Sequence, residues 1–120
     1  MLTYETLRDI ALGWPGVEEG VSWGMPTLKV GKKAMFYWNP QYDTPVFKVA
    51  HEDRDLLLEV DPESFFTTDH HRPWPLILVH RDKVDIGWVR ENLRRTWRAQ
   101  CPKTILKAWD KAHPGASFPD

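Results

Sequence analysis

Cysteine is nearly absent: Cys101 is the single one in 120 residues. One thiol excludes an intrachain disulfide framework and points to a reducing compartment. Long apolar runs are missing too. No stretch approaches the ~18 residues of a membrane span, and Met1-Leu2-Thr3-Tyr4-Glu5 has neither the basic nor the apolar region of a secretion signal. The expectation is a cytoplasmic monomer, a single domain over residues 1–120 with no membrane partner. Charge of one sign is also lacking. The formal net charge is −1, which argues against strong nonspecific nucleic-acid binding. There is no internal repeat, linker or low-complexity tract.

Catalytic fingerprints are missing as well. No nucleophile elbow, dinucleotide fingerprint or HExxH appears. The nearest approach to a phosphate loop is "GMPTLKVGKK", residues 24–33. A P-loop needs four residues between its glycines, then Lys-Ser/Thr leading into a helix. Here six residues separate Gly24 and Gly31, Lys33 occupies the hydroxyl position, and the strand-like Ala34-Met35-Phe36-Tyr37-Trp38 follows. The segment therefore reads as a hairpin tip. No enzyme and no cofactor are expected.

What the chain does have is tryptophan, seven in all. Such rings fill cores, but they also line ligand and partner surfaces. Charge is unevenly spread. Residues 1–80 hold seven Lys/Arg against twelve Asp/Glu, and residues 81–120 hold nine against five. Such asymmetry marks either a basic face or two halves that neutralise each other on folding.

Leu7, Ile10, Ala11 and Trp14 recur at helical spacing after Thr3, a candidate N-cap, with Glu5 in the first turn. Residues 17–23, 27–30, 34–38 and 46–50 read as strands, with Gly24-Met25-Pro26 and Gly31-Lys32 as turns. Spacing this close leaves no room for crossover helices, so the sheet should be antiparallel. Leu56, Leu57 and Val60 suggest a short helix after the acidic run 51–55. Asp61-Pro62 opens a further short turn carrying Phe65 and Phe66. Residues 75–80, "PLILVH", read as the most buried strand. Asp85 caps a long helix with Ile86, Val89, Leu93 and Trp97 on one face. Cys101-Pro102 ends it, and Ile105, Leu106 and Trp109 continue as a last helix stopped at His113-Pro114-Gly115. Phe66, Leu78, Leu93 and Trp97 should be core. The fold class is α+β: an antiparallel β-sheet with helices packed on it.

The candidate sites form three sets. Lys29, Lys32 and Lys33 are either a wing that touches phosphates or lysines that solubilise a hairpin and guard its edge. Arg90, Arg94 and Arg98 flank the apolar stripe of the long helix as a possible phosphate edge, while Glu91 and Arg95 form a helical ion pair. Asp69-His70-His71 is the most metal-like cluster, but adjacent histidines on an extended segment point to opposite sides, so loop histidines are the default and no metal is assigned. Cys101 has no local signature of a catalytic thiol.

Residues 11–33, "ALGWPGVEEGVSWGMPTLKVGKK", resemble the opening of the MmcQ/YjbR family, in which a helix leads to a Pro-Gly-Val turn, then Trp-Gly-x-Pro, then a Leu-Lys-Val strand. Residues 60–85 are similar to its second signature, Pro-Glu-x-Phe-Phe followed by a histidine and an apolar strand. Residues 93–106 resemble its Trp-x-x-x-x-Pro-Lys ending. Asp69 departs from the proline often found there. The resemblance implies a CyaY/frataxin-like fold and a "double wing" DNA-binding label. No catalytic residues come with it, and Glu5 and Asp9 are too sparse for frataxin-like iron binding.

Two functions follow as expectations. The first is a DNA-binding or regulatory module, weak and salt-sensitive, that contacts phosphates through Lys29, Lys32, Lys33, Arg94, Arg98 and Lys103. The alternative is a domain that binds a small molecule or protein, without catalysis, in an aromatic pocket of Trp23, Tyr37, Trp38 and Trp74. A basic patch uniting Lys32 and Lys33 with Arg94 and Arg98 favours the first; a deep apolar pocket with a few inward polar groups favours the second.

Overall fold

The structure is a computed structural model, and it describes residues 1–114; Gly115, expected to help end the last helix, lies outside them. Helix α1 (Tyr4–Ala11) starts where Thr3 accepts a hydrogen bond from the backbone N–H of Thr6 at 3.2 Å. Its Leu7, Ile10 and Ala11 are buried, as their spacing requires. Seven strands follow: β1 (Glu18–Ser22), β2 (Met25–Val30), β3 (Lys33–Ala34), β4 (Phe36–Asn39), β5 (Thr44–Lys48), β6 (Phe65–Phe66) and β7 (Leu76–Val79). Helix α2 (His51–Val60) lies between β5 and β6, and α3 (Ile86–Gln100) and α4 (Lys103–Ala112) close the chain.

The strands form two antiparallel ladders, ordered β1-β2-β3 and β4-β5-β7-β6. The single strand expected over 34–38 is instead divided between them. The chain bends at Met35, which is fully buried. Its N–H still donates to the Leu28 carbonyl at 2.8 Å, and the Thr27 hydroxyl donates to the Phe36 carbonyl at 2.6 Å. The two ladders thus adjoin across the bend.

Alternation along the second ladder sorts its side chains. Phe36, Phe47 and Ile77 join the core with Leu7, Leu93 and Trp97. Tyr37, Val46, Lys48, Leu76 and Leu78 point to the other face, by the pairings Tyr37–Val46, Val46–Leu78 and Lys48–Leu76. Leu78, Leu93 and Trp97 are buried as expected. Phe66 is not: Phe65 is the core residue, while Phe66 is half-buried between Tyr42 and His80.

Two other boundaries differ from expectation. The first turn is Trp23-Gly24, both with positive φ, so Trp23 leaves the strand and Met25-Pro26 enter one. Helix α2 begins at His51 rather than after the acidic run, because Glu52 and Asp53 in its first turn suit the helix dipole. Its apolar contacts come from Leu57 and Leu58, while Leu56 and Val60 are exposed. On α3, capped by Asp85, Ile86 is likewise exposed.

The β2–β3 turn shows why the opening glycine pair is spaced as it is. Gly31 and Lys32 have φ of 61° and 66°, the two positive values of a type I′ hairpin. Gly31 also lies against the end of α3: a Cβ there would collide with the Gln100 carbonyl oxygen. Gly31→Val should therefore destabilise the protein by more than about 2 kcal/mol, through a forbidden backbone and a clash together. Replacing Lys32 and Lys33 by alanine should stay within about 0.5–1 kcal/mol. Urea unfolding of the two variants checks this; equal midpoints would show that the hairpin does not need its glycine.

Candidate binding pocket

A cavity of about 1130 Å³ opens on the polar-and-aromatic face of the second ladder. It lies just above the ~300–1,000 Å³ typical of ligand sites. Four separate parts of the chain wall it: the β1–β2 tip, strands β4 and β5, helix α2 with the 70–75 loop, and one side of α3. Trp23, Tyr37, Trp38 and Trp74 all line it.

Each of these rings is held differently. Trp23 stands at the hairpin tip, 91% exposed, with φ of 53°. Positive φ is unusual for a bulky residue and costs on the order of 1–3 kcal/mol. Tyr37 lies under the ammonium of Lys48, 5.7 Å from the ring centroid. Trp38 is engaged elsewhere as well: its indole N–H donates to Asp43 at 3.1 Å, and the Arg81 guanidinium covers its ring at 5.1 Å. Trp74 is 58% exposed on the far wall.

The 70–75 loop is fixed by Arg54, the one Lys or Arg of the acidic run 51–55. Its side chain is buried, and it donates to the carbonyls of Arg72 and Trp74 at 2.6 and 2.9 Å while pairing with Asp55 at 3.1 Å. A buried guanidinium needs such partners. Arg54 thus fastens the loop that carries Trp74 to α2.

The histidines are not on extended backbone. The chain turns at Thr68, whose carbonyl accepts from the N–H groups of His71 and Arg72. This turn brings the His70 and His71 rings within 5.1 Å of each other, at a right angle, on one side of the cavity. His71 is buried, with Nδ1 2.6 Å from the Thr68 hydroxyl. Among the described residues no three His, Cys, Asp or Glu side chains converge as a metal site would require. Cys101 is buried, and burial pushes its thiol up, away from the reactive thiolate.

On the opposite wall Lys48 donates to Oε1 of Gln100 at 2.7 Å. The Gln100 amide Nε2 donates to the carbonyls of Lys33 and Val30 at 3.1 and 3.4 Å. One glutamine at the end of α3 therefore ties both ladders together. Asn92 donates to the Lys48 carbonyl at 3.2 Å.

The basic residues are more scattered. Lys32, Lys33 and Lys103 are exposed, and the contact of Gly31 with Gln100 and Pro102 brings the hairpin tip beside the start of α4. Lys29 faces Glu18 across the β1–β2 ladder. Arg94 is bound to Glu91 at 2.7 and 3.0 Å, and Arg98 to Asp110 at 2.9 and 3.2 Å. Arg95 is left the longer contact with Glu91, 3.7 Å. The two arginines expected to extend the lysine wing are thus neutralised by carboxylates of their own.

A family model described as YjbR matches residues 12–99. The chain is also similar to uncharacterized proteins of Mycobacterium bovis and Mycobacterium tuberculosis, each 26% identical over 93 residues, covering 74% of this chain and 72% of the relative. No solved structure matches it. No helix among the described residues is long and apolar enough to cross a membrane.

Burial, and secondarily the neighbouring His70, hold the His71 imidazole below the ordinary histidine range. A group with a depressed folded pKa adds stability that is present above its unfolded value and is lost as pH falls through the folded one. The midpoint of thermal unfolding should therefore drop as pH falls below about 6.5. His71→Asn, which keeps a polar atom near Thr68, should flatten that slope. A slope of unchanged steepness would show that other groups cause the acid loss.

Proposed function

We propose that this chain, which belongs to the YjbR family, is a binding module that holds a flat, largely apolar small molecule between aromatic walls and performs no catalysis. The observation that carries this is the convergence of Trp23, Tyr37 and Trp74 on one cavity from distant parts of the chain, with Trp38, which packs against the core, also in its lining. Exposed rings such as Trp23 and Trp74 are poorly used as surface, and a strained backbone under Trp23 is a cost that folding alone does not explain. A ligand stacked on both would account for each.

Binding of the neutral dye N-phenylnaphthylamine, followed by its fluorescence, tests the reading. Saturable one-to-one binding is expected. Trp23→Ala and Trp74→Ala should each weaken it about two- to tenfold, the worth of ~0.5–1.5 kcal/mol for one aromatic contact. Trp23→Gly should weaken it equally while raising thermal stability, since glycine relieves the positive φ. Absent saturation, or affinity indifferent to both tryptophans, would sink the proposal.

A second reading, contact with DNA, is favoured by one feature: Lys32 and Lys33 stand exposed at the β2–β3 tip next to Lys103. With Arg94 and Arg98 paired, such contact rests on the three lysines. Lys32→Ala with Lys33→Ala should then weaken duplex binding alike across sequences. It should also flatten the log-affinity against log-salt slope by about 1–2, as each phosphate contact contributes roughly −0.9. A wild type that binds no DNA at low salt, or a double variant with the same slope, removes this reading.

A further inference from the structure

We propose that the ligand of this cavity carries an anionic group, which sits in the corner between β5 and α3 and is received by Lys48, with Arg95 at the rim. The inference rests on the pocket reading above and adds the charge of the occupant. It starts from an imbalance among the cations. Arg54, Arg81, Arg94 and Arg98, whose side chains are at most 20% exposed, each hold a carboxylate. Half-buried Lys29 forms no ion pair among the described residues, but it stands opposite a carboxylate, Glu18, in the β1–β2 register. Lys48 is half-buried too, yet among the described residues it has no ion-pair partner. A neutral amide oxygen takes one of its three N–H donors, and the Tyr37 ring lies beneath it.

That amide is not there by chance. The Nε2 of Gln100 is committed to the carbonyls of Val30 and Lys33, so its Oε1 is turned to Lys48 and fixes the ammonium at the cavity wall. A positioned, partly desolvated cation with spare donors favours an anion over water. Burial, and secondarily the like charge of Lys33, draw the Lys48 amine below the usual lysine range. An anion beside it would reverse that shift. Arg95 lines the same side and is only loosely held, because Arg94 takes both oxygens of Glu91 at shorter distance. Asp53 of α2 also lines the cavity, as do His70 and His71. A carboxylate there repels an anion, which assigns the charged end to the lysine corner and the flat body of the ligand to the aromatic walls.

Two dyes of similar shape separate the charge from the cavity: neutral N-phenylnaphthylamine and anilinonaphthalene sulfonate. Wild type should bind the sulfonate at least about tenfold more tightly than the neutral dye, the worth of one charge-assisted hydrogen bond. In Lys48→Met that preference should vanish, the two dyes then binding with similar affinity; Lys48→Arg should retain most of the preference. Added salt should reduce the preference, since Arg95 is exposed. The ratio of two dyes within one variant is insensitive to modest loss of stability, and the wild-type ratio stands without any variant. If wild type binds both dyes equally, or Lys48→Met keeps the preference, the anion inference is wrong while the pocket stands. If neither dye saturates, the pocket reading fails and takes this inference with it.

Discussion

At Met35 the chain passes from one ladder to the other over a single residue. That residue is fully buried, as are Leu28, whose carbonyl accepts its N–H, and Thr27, whose hydroxyl bonds the next carbonyl, and the bend is held by these two short hydrogen bonds. A bend of this kind is tolerable only where the displaced backbone groups find partners, since unpaired ones are costly in a core. Its consequence is architectural. The β1–β2 hairpin carries Trp23 to a cavity that is also lined by β4, β5, α2, the 70–75 loop and α3.

Two long polar side chains make the enclosure rigid. Gln100 grips both ladders from the end of α3, and Arg54 ties the 70–75 loop to α2. Both donate to backbone carbonyls, Gln100 to the two that flank the β2–β3 turn and Arg54 to two in the 70–75 loop. Both also set the cavity's chemistry, since Gln100 aims Lys48 and Arg54 places Trp74. Structural and functional demands fall on the same atoms.

The helices and the hairpins were legible in the sequence because their signals are local. Thr3 and Asp85 cap the helices they were expected to cap, and Gly31-Lys32 forms the turn its residues favour. Errors arose where a local signal was ambiguous. The run 34–38 looks like one strand by composition, and nothing in it announces that Met35 bends. Phe65 and Phe66 are equivalent in sequence, and only strand register buries the first. Trp23-Gly24 was read a residue late because tryptophan rarely takes positive φ. Neither Arg54 nor Lys48 carries a local signal, because the carbonyls and the amide they bind lie 18 to 52 residues away in the chain.

Taken alone, the sequence determined the fold class, the order of elements and the four rings that came to line the cavity, through periodicity, capping and aromatic content. Those rings could be named, but they could not be brought together, because residues 23, 37, 38 and 74 have no short-range relation. Only the tertiary structure decided that they share one space, that Arg94 and Arg98 spend their charge on Glu91 and Asp110, and that Lys48 does not spend its own. The physical reason is distance. Caps and turns act over three or four residues of chain, whereas charge pairing and enclosure depend on which surfaces the packed helices and ladders bring within a few ångströms of each other.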